Sequence, residues 1–409
     1  FELTSDQKKT LRDINKDISS KNKMFRLLQG DVGSGKTIVS LISALNVINS
    51  GYQVAFMAPT EILAKQHYNL SKKIFPSTVN IEIISSKIEY SKKNAGISYQ
   101  KILSEGGGIY DTMEKTRLAS DEELIKNTIS RLERHFFEGV LTCEVKSGYG
   151  INFDQEIRLL KIINEINLSH PSDVIPTCLA AHVPPNDSQT STGEYLKLIV
   201  KELFPILRKE NLTNRIDVFI ENSAFKKEES KSYLKFAKEN DFYVTVHANQ
   251  FTSGGLHVGV DVGAMSVDHL EVITDEEIKY LSNSDTSAVV LPGCSLGLGL
   301  PFAPARKLLD NGCKLAIATD WNPGSAPMGD LLTQSSILAS NQKLSNAEVF
   351  SALSFRSANA LGINDRGVIE INKVADLIGF NVLDYREILY NQGKIKPSFI
   401  CKKGKVYKK

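Results

Sequence analysis

Residues 243–271 read YVTVHANQFTSGGLHVGVDVGAMSVDHLE. An apolar, β-branched run, Tyr243–Val246, ends on His247 and Asn249; a glycine-bearing helical stretch follows, and a second short run, Ser266–Asp268, ends on His269. A strand–helix–strand unit of this kind returns the chain parallel to itself and gathers polar residues at the carboxyl ends of both strands. Working outward, the same rhythm predicts strands at Val140–Val145, Val174–Leu179, Ile216–Ile220, Ala288–Leu291 and Lys314–Ala318. Seven strands with intervening helices predict an α/β fold, a TIM-type (β/α) barrel one strand short of the usual eight. Lys146, His182, Glu221, His247, His269 and Asp320 stand just past the strands, where such barrels carry their chemistry. Beyond Gly362, residues 367–380 and 399–407 read as short strands of a small β-sheet.

Upstream the pattern differs. Residues 5–20 carry Leu11, Ile14 and Ile18 at helical spacing, Phe25–Leu28 is a short apolar run, Thr37–Ile48 is an apolar-rich helix, and Val54–Ala58 reads as a buried strand. This is a βαβ start, followed by a helix over about Glu61–Lys73 and a further strand candidate at Ile81–Ile84. With 409 residues the chain exceeds what one core usually supports, so a barrel plus a second unit is expected.

Composition excludes several classes. Hydrophobic residues make up 42% and charged residues 23%, near the globular average and far from collagen, coiled coil or disorder. No apolar run approaches the roughly 18 residues of a membrane span, and Phe1–Thr4 begins no signal peptide, so a cytoplasmic location with no membrane partner is expected. The five cysteines are scattered and never form C-x-x-C, which indicates neither a disulfide framework nor a zinc–thiolate site. Residues 1–88 hold 12 Lys and Arg against 7 Asp and Glu, the remainder 37 against 40, so a mildly basic head joins a near-neutral body. Surface lysines are mostly solvated, and this asymmetry is weak support for polyanion contact.

Gly30-Asp31-Val32-Gly33-Ser34-Gly35-Lys36-Thr37 satisfies G-x-x-x-x-G-K-[ST] between an apolar run and a helix. Gly30, Gly33 and Gly35 let backbone N–H groups wrap phosphates, Lys36 reaches the terminal phosphates and Thr37 can hold magnesium. Hydrolysis also needs a carboxylate at a strand end. The acidic pairs Asp121-Glu122 and Asp275-Glu276 stand at helix starts and read as first-turn capping instead.

Leu3-Thr4 with Gln7, the run Arg26–Thr37, and Met57–Ala64 with Gln66-His67-Tyr68 resemble the opening of the motor domain of RecG-type DNA helicases, to about Lys87. The resemblance implies that Gln7 reads adenine and that the loop holds Mg-ATP. That family's acidic motif, second motor lobe and DNA-wedge domain have no counterpart here, so DNA binding is not expected of the fragment.

From about Glu89 onward the chain resembles imidazolonepropionase, a metal-dependent amidohydrolase of histidine degradation. The likeness rests on Gly96–Tyr99, Gly106–Ile109 with Thr116-Arg117, Glu144–Gly150, Ala181-His182, Asp217–Phe219 with Glu221, His247–Gln250, Asp268–Glu271 and Ala318–Gly324. It implies a zinc or iron ion held by His247 and Asp320, catalysis by His269 and Asp320, and substrate contacts from Tyr149, His182, Asn322, Gly324 and Ser325. Arg117 is a further anion-binding candidate. The reaction implied is hydrolysis of 4-imidazolone-5-propanoate, a small-molecule substrate, to N-formimidoyl-L-glutamate. A homodimer is a further expectation.

One departure matters. The family places His-x-His at the end of its first barrel strand, whereas the seven histidines here, at 67, 135, 170, 182, 247, 257 and 269, include no such pair. Two of four ligands are missing. The expected organisation is a partial P-loop segment over 1–88, a barrel with its first strand replaced or missing over 89–365, and carboxy-terminal strands over 366–409. The competing readings are an ATP-binding, helicase-like protein and a fusion without function.

Overall fold

In a computed structural model of the chain, residues 3–20, 23–31, 33–58, 61–82, 109–150, 152–184 and 190–407 are described. The chain divides into two compact units, Phe1–Gly96 and Ile97–Lys409.

The first unit holds three helices among its described residues: α1 (Ser5–Ile18), α2 (Lys36–Asn49) and α3 (Glu61–Ile74). A capping box starts α1, where the Thr4 hydroxyl accepts from Gln7 N–H and the Gln7 side chain accepts from Thr4 N–H. Leu11 and Ile14 of α1 bury against Val39 of α2. The expected strands at Phe25–Leu28 and Val54–Ala58 do not form, and the βαβ start is corrected to helices joined by extended chain. Phe25 is 94% exposed, Leu27 86% and Met57 90%. An apolar run becomes a strand only where a neighbour pairs with its backbone, and neither run has one among the described residues. The candidate Ile81–Ile84 runs outside the described residues.

The second unit confirms the barrel rhythm. β1 (Thr142–Lys146), β2 (Asp173–Ala181), β3 (Arg215–Ile220), β4 (Tyr243–Ala248), β5 (Ser266–His269), β6 (Ser287–Val290) and β7 (Leu315–Ile317) form one sheet in that order, every pair parallel. All seven expected strands are present, shifted by a residue or two at their ends. Helices cover the sheet, so its strands are apolar on both faces; Val218, Val246, Val267, Ala288 and Leu315 are fully buried. Acidic first turns start helices as expected: Ser120 caps Asp121–Phe137, and a Thr274–Glu277 capping box starts Asp275–Ser282.

Among the described residues β1 and β7 are not paired with each other, and the curled sheet they end is open along one seam. The Asp121–Phe137 helix, which leads into β1, reaches the loop that leaves β7. Arg134 Nη2 donates to Met328 O at 2.7 Å, and the His135 ring meets Trp321 edge-on at 4.6 Å. Burial holds the His135 imidazole down at about 4, followed by the charge of Arg134 beside it.

A small antiparallel sheet completes the unit: β8 (Leu377–Gly379), β9 (Phe399–Lys402) and β10 (Lys405–Tyr407), with β9 central. Lys403 and Gly404, both left-handed at φ 50° and 81°, turn β9 into β10. Lys402 Nζ ties this sheet to the barrel by donating to Asp173 Oδ2 on β2 at 2.7 Å and to Asp376 Oδ2 at 2.6 Å.

Candidate active site

The residues expected to carry chemistry line the carboxyl rim of the sheet. Lys146 closes β1, His182 follows β2, His247 lies in β4, His269 closes β5 and Asp320 follows β7. In a parallel sheet residues in register share a face, and His247 is in register with Phe219 on β3 and Asp268 on β5. Three imidazoles therefore form a row, with ring centroids 6.4 Å apart for His182 and His247 and 5.4 Å apart for His247 and His269. Tyr149 sits edge-on to His182 at 5.7 Å. The backbone is left-handed at Asn249, His269, Leu270 and Asp320, with φ of 57°, 90°, 70° and 49°. Such residues cost on the order of 1–3 kcal/mol each and persist where surrounding structure imposes them.

Two loops hold the flanks. After β1, the buried Glu156 carboxylate accepts the Gly148 N–H at 2.9 Å and the Gly150 N–H at 2.6 Å, pinning the turn that carries Tyr149. Gly148 has φ +94°, and a Cβ there would lie 3.0 Å from both His182 Nδ1 and Leu179 O. The Gly148 carbonyl accepts from His182 Nδ1 at 3.1 Å, which fixes the proton on Nδ1 and leaves Nε2 an acceptor. Burial first, and then the neighbouring His247, hold the His182 imidazole down at about 4, so it is neutral at pH 7. After β7, Asn322 Oδ1 accepts the N–H groups of Gly324 and Ser325 at 2.9 and 2.7 Å, and Asn322 Nδ2 donates to Asp320 O at 2.6 Å. The Asn322 amide is thus engaged inside its own loop, an Asx turn. Ser325 Oγ lies 3.4 Å from Asp320 Oδ2.

Electrostatics separate the rim into distinct environments. Burial raises the Asp320 carboxyl above the usual range while His269 and His247 pull it down. Burial opposes a charged His269, but the adjacent Glu271 carboxylate outweighs it and raises the imidazole well above its ordinary value.

Sequence reasoning missed two clusters. In the first, Lys146 Nζ lies 3.2 Å from Glu144 Oε2, 2.6 Å from Asp217 Oδ2 and 3.3 Å from Asp268 Oδ2. Burial works against this ammonium, yet Asp217, Glu144 and Asp268 raise it well above the lysine range. Asp217, His247 and Asp268 are close enough to share a cation, and Lys146 supplies one. His247 Nδ1 is 2.9 Å from Asp217 Oδ2 but makes no aligned hydrogen bond. The second cluster is His269, Glu271 and Cys294, all buried. Charged residues within otherwise apolar strands were the available signal for the first; Cys294 gave none.

In the first unit the nucleotide-loop residues surround the start of α2. Gly33 and Gly35 are left-handed at φ 85° and 82°, Lys36 Nζ donates to Gly30 O and Asp31 O at 2.6 Å each, and Gln7 Nε2 donates to Ser34 O at 2.9 Å. Thr37 lies in the first turn of α2.

Comparison with known proteins agrees with this geometry. A family model described as amidohydrolase family matches residues 176–407, and one described as DEAD/DEAH box helicase matches residues 4–128. An imidazolonepropionase of Caldanaerobacter subterraneus subsp. tengcongensis is 37% identical over 83% of this chain and 82% of its own length. One from Deinococcus radiodurans is 39% identical over 75% of each chain. Among solved structures, an adenosine deaminase from Xanthomonas campestris with bound zinc superposes with TM-score 0.57 at 18% identity, covering 76% of this chain and 74% of that one. A triazine hydrolase variant reaches TM-score 0.59 at 15% identity over 78% and 77%. At such identities these two speak for the fold alone. The sequence relatives go further, and on them, with the amidohydrolase match over more than half its length, the chain belongs to the imidazolonepropionases of the amidohydrolase family.

Proposed function

We propose that the chain binds 4-imidazolone-5-propanoate at this rim and hydrolyses its ring amide to N-formimidoyl-L-glutamate only at a strongly reduced rate. The row of His182, His247 and His269 beside Tyr149 is the observation that carries the reading. Neutral His182 offers Nε2 as acceptor to a ring N–H, and Tyr149 packs beside it. The Asn322–Ser325 loop sets the propionate end, with Gly324 and Ser325 nearest the ligand and Asn322 positioning them. Cationic His269 stabilises the oxyanion that develops when water attacks the ring carbonyl, and ionised Asp320, made more basic by burial, takes up the water's proton.

The family's zinc or iron ion lowers the pKa of its water and polarises the carbonyl. The residues present do not fit it: His247 and Asp320 stand without the His-x-His pair, among the described residues no three-ligand group joins them, and Lys146 already neutralises the carboxylates beside His247. Turnover therefore falls while binding persists. Calorimetry of the substrate, alongside steady-state assays with added zinc or iron and the Caldanaerobacter relative as reference, tests this. The expected outcome is binding weakened about tenfold or more by His182→Ala, the loss of one good hydrogen bond, with turnover far below the reference. Turnover equal to the reference would refute the reading.

The amino-terminal unit supports a second, separate reading: Mg-ATP binding at Gly30–Thr37, favoured by the left-handed Gly33 and Gly35 and the position of Lys36. ATP retained equally by wild type and Lys36→Ala would eliminate it.

A further inference from the structure

The geometry points to a metal centre distinct from the family's, a transition-ion site of the zinc class formed by the imidazole of His269, the carboxylate of Glu271 and the thiolate of Cys294. One ligand atom from each lies within 4.8 Å of the others, and the residues are 3%, 8% and 0% exposed. They come from consecutive strand ends: His269 closes β5, Glu271 lies two residues on, and Cys294 belongs to the helix that follows β6. No spacing rule along the chain reveals such a site.

Three observations separate this cluster from an ordinary buried polar group. His269 Nδ1 and Glu271 Oε2 are buried, make no aligned hydrogen bond and face each other as a long ion pair, an arrangement that a cation seated between them improves. They stand 3.6 Å apart, which matches the separation of about 3.3–3.7 Å that zinc bonds of 2.0–2.3 Å impose on two tetrahedral ligands. The outer atoms are already committed to holding the ligands in place: Ser295 Oγ donates to Glu271 Oε1 at 3.1 Å, leaving Oε2 turned toward His269, and Gln250 Nε2 donates to Cys294 Sγ at 3.1 Å.

Charge supports the same assignment. A carboxylate and a thiolate neutralise a divalent ion, so the loaded centre is uncharged among buried side chains. Nitrogen, oxygen and sulfur together select zinc, cobalt or iron over magnesium and calcium. The neighbouring group Asp217, His247 and Asp268 is as compact, but Lys146 fills it; no lysine or arginine ion pair involves Glu271 among the described residues. Three protein ligands leave a fourth tetrahedral position for water. Binding releases the protons carried by the ligands to solvent. Occupancy of this centre and the hydrolase reading exclude each other at His269, which the ion needs deprotonated and the oxyanion needs cationic, so cobalt bands read the one and turnover reads the other.

Cobalt(II) titration of the chelator-treated full chain tests it. The expected result is one ion per chain with a thiolate-to-cobalt charge-transfer band in the near ultraviolet and the visible bands of tetrahedral cobalt. Cys294→Ser removes the ultraviolet band, Glu271→Gln weakens affinity by about tenfold or more, and His247→Ala leaves both. Glu271→Gln, nearly isosteric, keeps the test decisive where Cys294→Ser fails to fold. A wild-type spectrum without the thiolate band, or a band that survives Cys294→Ser, overturns the assignment. The substrate calorimetry above reports separately on the hydrolase reading.

Discussion

Lys146 answers three carboxylates at once, and its removal exposes what each of them costs. Asp217 is fully buried and is held below the ordinary carboxylate range, against the effect of burial, by His247 and Lys146. Lys146→Met keeps much of the stem but deletes the charge, leaving Asp217 and Asp268 facing each other without it. Breaking a buried ion pair from one side destabilises by about 3–5 kcal/mol, and urea unfolding of the variant is expected to show a loss of that order. A loss below about 1 kcal/mol would mean that solvent already screens the cluster. The individual residues most readable in the sequence were those whose position alone announced them: His247, His269 and Asp320 each end an apolar run. Asp217, Asp268 and Cys294 were not readable as partners, because their contacts join strands that the chain visits in turn, and nothing local marks a meeting across them.

At the scale of elements, β2 and the small β8–β10 sheet are joined through one carboxylate. Asp173 loses hydration on burial, yet Lys402, Lys403 and Arg366 hold its carboxyl well below the usual range. The folded-state pKa is therefore lower than the unfolded value of about 3.9. The stabilisation is present above that value and is lost as pH falls through about 4 and below. Asp173→Asn is expected to cost roughly 1–3 kcal/mol near neutral pH, with the gap to wild type narrowing below about pH 4 in denaturant titrations run at several pH values. A gap that does not change with pH would assign the loss to packing. The seven barrel strands were legible because a parallel strand buried on both faces must be a short apolar run between turn signals. Phe25–Leu28 and Val54–Ala58 carry the same local signature and form no strand. An apolar run specifies a strand only together with the partner it lies against, and that partner is not written in the run itself.

At the scale of the barrel unit, the sheet formed by the described residues has two ends where a closed cylinder has none. Among the described residues β1 pairs with β2 alone and β7 with β6 alone, so the backbone groups on their outer edges lack ladder partners. Hydrogen exchange followed by mass spectrometry is expected to show peptides covering 142–146 and 315–317 losing protection before those covering 215–220 and 243–248. Uniform protection over all seven strands would mean that another strand has closed the edges. The chain's single tryptophan, Trp321, lies at this junction, its indole N–H bound to Pro327 O and its ring touched by His135 and by Arg134 at 4.8 Å. Nature has in effect placed one intrinsic fluorophore at the joint most apt to gape, so that emission from untagged protein reads the parting of this joint directly.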